Sequence, residues 1–146
     1  MTQAWALLDV SMPRVYEICE PSEIANAIGF LQPREETALF APHVREAAEI
    51  EGCADTYLTL HWRLRQWSLK PGRMDFVSYV SAFKWANMRL DELEVIDDEL
   101  AINGVRIDKL DQRKYRETVS ITRERRIALD WLLGFERLYS SVTTDT

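Results

Sequence analysis

This chain of 146 residues has two cysteines, two histidines, five glycines and five prolines. Cys19 and Cys53 stand alone, with no motif spacing between them. They cannot form a disulfide framework, and they read as core thiols of a reduced, cytoplasmic protein. The opening "MTQAWALLDV" has no basic segment ahead of a long apolar run, so no secretion signal is expected. Long hydrophobic runs are missing as well. The densest one, near Ile127 to Phe135, is interrupted by Asp130 and falls far short of the ~20 residues of a membrane span. Glycine-rich phosphate loops, G-x-S-x-G elbows, C-x-x-C pairs and H-E-x-x-H helices are all absent, so no cofactor is expected. His43 and Glu46 lie three apart on a helical pattern, but a metal centre needs more ligands than these two. The acidic run Asp91, Glu92, Glu94, Asp97, Asp98 and Glu99 lacks the alternating ligands and central glycine of a calcium loop.

What is present is an ordinary globular composition: 47% hydrophobic and 29% charged residues. That is too apolar for a disordered chain, and the length suits a single domain over residues 1–146 with a core of its own. The net charge is −6, unevenly spread: residues 1–60 hold ten acids and three bases, residues 106–126 eight bases and four acids. An acidic chain with its bases dispersed is not expected to bind nucleic acid, since phosphates demand a concentrated positive surface. A basic protein is the partner it suits better.

Periodicity predicts a mostly α-helical fold with one small β-hairpin. Ser22, Glu23 and the apolar Ile24, Ala27, Ile28 and Leu31 predict a short helix closed by Pro33. A second short helix is expected over 33–42. A longer helical pattern runs over 43–69, with Gly52 as a candidate break, and 70–72 is a loop. Asp75 caps a helix expected over 76–90. The stretch "LEVIDDELAINGVRI" then switches to β-formers. Asn103-Gly104 is its hairpin signal, because a type I′ turn needs positive φ at both central residues. Asp108 or Asp111 caps helices filling most of 111–138, and the tail from Ser140 is irregular.

On a wheel of residues 121–139, Arg123, Arg126, Asp130 and Arg137 form the expected solvent face. The rest is a wide apolar arc, which contains Glu124 and Arg125. The helix over 55–69 likewise carries His61 and Arg65 inside an apolar arc. Buried charges need partners, and the two economical contacts are Arg65–Glu124 and Arg125–Asp145. Such a cluster of His61, Arg65, Glu124, Arg125 and Asp145 either knots two helices to the tail or lines a site. The acidic run is expected to be a solvated hairpin edge or a patch for a basic partner. The Trp and Tyr side chains are expected as core anchors, with one or two as candidate interface markers.

The segments "ADTYLTLHWRLRQ", "ERRIALDWL" and the closing "TTDT" resemble a bacterial family filed as domain of unknown function 4272. Its members share an HW helix with a following Arg, an E-R-R/H-x-A-L-N-W-L helix and an acidic tail ending D-T. The matching positions are His61, Trp62, Arg65, Glu124, Arg125, Arg126, Ala128, Leu129, Trp131, Leu132, Asp145 and Thr146. Asp130 stands where the family usually has Asn, and "LYSSV" stands where the family often has a Trp-Asp pair. The resemblance covers mainly residues 50–146, and it implies no activity. Two function classes follow. One is a non-catalytic protein-binding module, such as an immunity protein neutralising a basic toxin, with Asp91, Glu92, Glu94, Asp97, Asp98 and Glu99 as its binding acids. The other is an enzyme acting on a small anionic substrate. There Glu124 or His61 would be the general acid/base, and Arg65 and Arg125 would hold the anion.

Overall fold

A computed structural model describes residues 1–8, 10–33, 44–83 and 86–144. Among the described residues there are five α-helices and a three-stranded antiparallel sheet: α1 (Thr2–Leu7), α2 (Pro21–Ile28), α3 (Ala47–Leu69), α4 (Phe76–Ala82), β1 (Glu94–Ile96), β2 (Glu99–Ile102), β3 (Val105–Arg106) and α5 (Gln112–Leu132). Short 3-10 turns follow β3 at Ile107–Lys109 and α5 at Tyr139–Ser141. The expected mostly helical class with a small β unit is what forms. None of the described helices is long and apolar enough to cross a membrane.

The central contact is α3 against α5, with α1 and the sheet packed around it. Ile50, Ala54, Tyr57, Leu60 and Leu64 supply the buried stripe of α3, and Ile127, Ala128 and Leu129 that of α5. Gly52 does not break α3, which runs unbroken for 23 residues. A glycine costs a helix interior about 1 kcal/mol, too little to interrupt so long a buried stripe. A β-carbon at Gly52 would lie 2.6 Å from Arg89 Nη1, so the bare backbone leaves room for that guanidinium.

Two helices end earlier than expected, both at a glycine in the left-handed region. Gly29 (φ 69°) closes α2, and the Phe30 N–H bonds Ala25 O at 2.8 Å. Past α5, Gly134 has φ 79°, and the Phe135 N–H bonds Asp130 O at 3.1 Å. Such glycine-terminated ends satisfy the last free carbonyls of a helix, so Pro33 is not the terminator of α2 and α5 stops before residue 138. Asp75 caps α4 as expected, accepting from the Ser78 N–H at 2.8 Å. But α4 ends at Ala82 instead of running to residue 90. The Arg89 N–H goes to Thr59 Oγ on α3 at 2.8 Å, so that backbone is tied across and not helically. Asp111, not Asp108, caps α5 through the Lys114 N–H. The helix expected over 33–42 lies outside the described residues.

The sheet holds one strand more than a hairpin. Asn103-Gly104 makes the expected turn, with φ of 51° and 72°. A second turn of the same kind joins β1 to β2 through Asp97-Asp98, with φ of 51° and 61°. Aspartate enters this region more readily than most residues because its short polar side chain bonds locally. All four residues of β2 are buried.

Candidate functional site

The tertiary fold separates the residues that the sequence grouped. Arg125 is buried as expected, but neutral acceptors surround it. Its Nη1 donates to Pro13 O (2.9 Å), Arg14 O (2.8 Å) and Tyr57 Oη (2.7 Å), and its Nη2 donates to Glu17 O (2.7 Å). The guanidinium also lies over the Tyr57 ring. Burial pushes the Tyr57 hydroxyl up, against the opposing pull of Arg125. Arg125 thus staples the segment after α1 to the helix pair. Asp145, its expected partner, lies outside the described residues, as does His43.

Glu124 and Arg65 are exposed, contrary to the wheel. They form no ion pair with each other. Glu124 looks out beside Arg125 onto a shallow cleft with Cys19, Ile24 and Tyr139, while His61 faces Arg126. The wheel fails at Arg126 and Asp130 too. They were expected on the solvent face, but their side chains are only 12% and 15% exposed, because that face of α5 turns toward α3.

There a compact polar relay forms. Arg126 Nη1 donates to His61 Nδ1 at 2.9 Å, and Arg126 Nε lies 3.5 Å from Asp130 Oδ2. Donation to Nδ1 places the proton of the neutral imidazole on Nε2. Burial, then the neighbouring Arg126, lowers the His61 pKa to about 4. Burial also lowers Arg126, with Asp130 opposing, and raises Asp130, with Arg126 opposing.

Beside this relay opens a cleft of about 610 Å³. One wall is α3, with Glu51, Asp55 and Leu58; the other is α5, with Arg126, Asp130 and Leu133. The glycine turn after α5 contributes Phe135 and Glu136, and the C-terminal segment contributes Val142 and Thr143. That segment is held by an edge contact of Tyr139 with Trp131, ring centres 5.9 Å apart. Burial raises the Asp55 carboxyl, with Arg89 opposing. The size and mixed lining are those of a small-molecule site.

The acidic run divides. Asp91, Glu92, Asp97 and Asp98 are exposed as expected. Glu94 Oε2 is occupied by the Gly104 N–H at 2.7 Å. Glu99 is not a surface acid at all: it is fully buried and ion-paired with the equally buried Arg63. Arg63 Nε and Nη2 reach the two carboxylate oxygens at 2.8 and 2.6 Å, and Nη2 also reaches Gly72 O at 3.0 Å. Arg63 Nη1 donates to Gln66 as well. The N–H groups of Met74 (2.9 Å) and Leu100 (2.8 Å) complete the Glu99 carboxylate. Burial alone would raise Glu99, but the Arg63 fork and the two amides outweigh it and hold the carboxyl below its ordinary range. The sequence reading missed this pair. Arg63 lies at helical spacing between Leu60, Leu64 and Trp67, which was the available signal.

No family model, no curated protein and no solved structure matches this chain. Among the described residues no group of three or more His, Cys, Asp or Glu is arranged to hold a metal ion.

Proposed function

We propose that this protein is a non-catalytic, cytoplasmic binding module that captures a basic protein, as an immunity protein neutralises a toxin. The observation that carries this reading is the acidic rim of the sheet. Asp91 and Glu92 stand exposed in the turn before β1 and Asp97 and Asp98 in the turn after it, in a chain of net charge −6. Asp91 and Asp97 contact Arg89 and Arg106 yet stay 61% and 62% exposed, so both still present charge to a partner. Complementary surface charge of this kind raises association rates and selects partners by sign. The unbonded thiols of Cys19 and Cys53 agree with a reducing compartment. Membership of the bacterial family named above belongs to the same proposal. It rests on the sequence positions already given.

The alternative, an enzyme using His61, Arg65, Glu124 and Arg125, has less support. Arg125 is taken up by three backbone carbonyls and the Tyr57 hydroxyl, His61 is enclosed, and Arg65 and Glu124 are exposed. The test uses tagged protein as bait in native lysate beside an Asp91→Lys/Glu92→Lys/Asp98→Lys variant. The expected result is a near-stoichiometric basic partner that elutes with added salt and is lost from the variant. A partner held equally by both baits, or none at all, rejects the reading.

A further inference from the structure

The cleft between α3 and α5 has its own chemistry, independent of the acidic rim. A guanidinium offers five N–H donors. In Arg126 the Nε faces Asp130 and one donor of Nη1 goes to His61. Nη2 has no hydrogen-bonding partner among the described residues, although the side chain is only 12% exposed. Nη2 keeps some contact with solvent, and a guanidinium edge open in this way suits an anionic acceptor with two oxygens. His61 cannot serve as that anion, since an imidazole is either neutral or cationic.

The facing wall has the opposite need. Asp55 is half-buried on α3, and its carboxylate has neither an ion pair nor a hydrogen bond among the described residues. Glu51 stands one turn away on the same wall. The charges that act on Asp55 are Arg89 and Glu51, and the one that acts on Arg126 is Asp130. So Asp55 and Arg126 line one cleft without an ion pair between them, and a molecule that meets both must carry charges of both signs. Leu58, Leu133 and Phe135 give the same cleft its apolar lining. Phe135 is 69% exposed and has apolar surface left to cover.

We propose that this cleft binds a short zwitterionic peptide of dipeptide size with apolar side chains, its carboxylate on Arg126 and its ammonium on Asp55 and Glu51. Two extended residues span roughly 7 Å, which keeps the two charged termini of such a ligand apart. The cleft's volume of about 610 Å³ accommodates such a ligand.

The test is calorimetric titration of the intact protein with leucyl-leucine, N-acetyl-leucyl-leucine and leucyl-leucinamide. The free dipeptide is expected to bind, and capping either end to weaken it about 10-fold or more, the scale of one lost charge-assisted contact. Asp55→Asn/Glu51→Gln should abolish the preference for the free amine and leave the preference for the free carboxylate. Arg126→Lys keeps the charge but not the two-nitrogen fork, and should weaken the free dipeptide while leaving leucyl-leucinamide binding unchanged. Thermal unfolding of each variant without ligand establishes that it is folded. No binding of the free dipeptide at ~10 mM, equal binding of all three compounds, or unchanged preferences in both variants would overturn the proposal.

Discussion

Replacing Glu99 by alanine removes the tie between the sheet and α3. The wild-type carboxylate accepts from two nitrogens of Arg63 and from the amides of Met74 and Leu100, and both charged side chains are 0% exposed. Glu99→Ala strands a guanidinium and two amides away from water. Removing one member of a buried pair costs about 3–5 kcal/mol, and each stranded amide adds to that in part. The expected loss is therefore at least about 4 kcal/mol, or roughly 10–15 °C in Tm for a chain of this size. Glu99→Gln keeps the shape and one acceptor oxygen, and should lose about half as much. The decisive variant is Arg63→Met/Glu99→Leu. With no charge left to desolvate, it should recover most of the loss, giving a coupling of about 2 kcal/mol or more in a double-mutant cycle. Urea and thermal unfolding followed by far-UV circular dichroism measure the four proteins of the cycle (wild type, Arg63→Met, Glu99→Leu and the double variant) together with Glu99→Ala and Glu99→Gln. A loss under about 1 kcal/mol for Glu99→Ala, or simple additivity of the two single changes, refutes the reasoning. The pair also sets a pH dependence. Because the folded pKa of Glu99 is depressed, its contribution is present above the unfolded carboxylate range. It is lost as pH falls through the folded value.

Two further outcomes follow from the buried side chains of Arg125 and His61. Arg125→Met should free residues 13–17 from the helix pair, with faster amide exchange there and a loss of about 2–4 kcal/mol. Arg125→Lys should not restore protection, since an ammonium cannot reach four acceptors spread about a planar fork; unchanged exchange in Arg125→Met refutes the staple. For His61, the folded pKa of about 4 lies below the ordinary 6.5. The unfolded chain therefore binds the proton first, and stability that is complete above about pH 6.5 is lost as pH falls toward 4. At full weight that difference is on the order of 3 kcal/mol. NMR titration of the His61 ring should give a midpoint near 4, and a midpoint near 6.5 refutes its enclosure against Arg126.

Much of the local structure was legible because local chemistry decides it. The Asp75 cap, the Asn103-Gly104 turn and the long α3 pattern all rest on contacts within a few residues. Gly29 and Gly134 were legible in kind as well, yet their role as helix terminators went unread because neighbouring apolar residues continued the periodicity. Asp97-Asp98 was hidden because its left-handed turn lacks a glycine.

The candidate site was less legible. A wheel ranks faces by the average polarity of a helix, so it placed Arg126 and Asp130 in solvent and Glu124 inside. Which face of α5 meets α3 depends on the partner helix, and α3 presents His61 and Asp55 there. Arg63 and Arg65 are two residues apart in the same motif, yet one is fully buried and the other exposed. The difference is Glu99, which the Asp97-Asp98 turn delivers from 36 residues away.

The sequence by itself determined the helical class, the caps, the Asn-Gly turn and the acidic balance, because each depends on residue type and short spacing. Only the tertiary structure decided which charges are buried, what satisfies them and where a cleft opens. A buried charge is stable only beside a partner, and the partners of Arg63, Arg125 and Arg126 come from other elements of the chain.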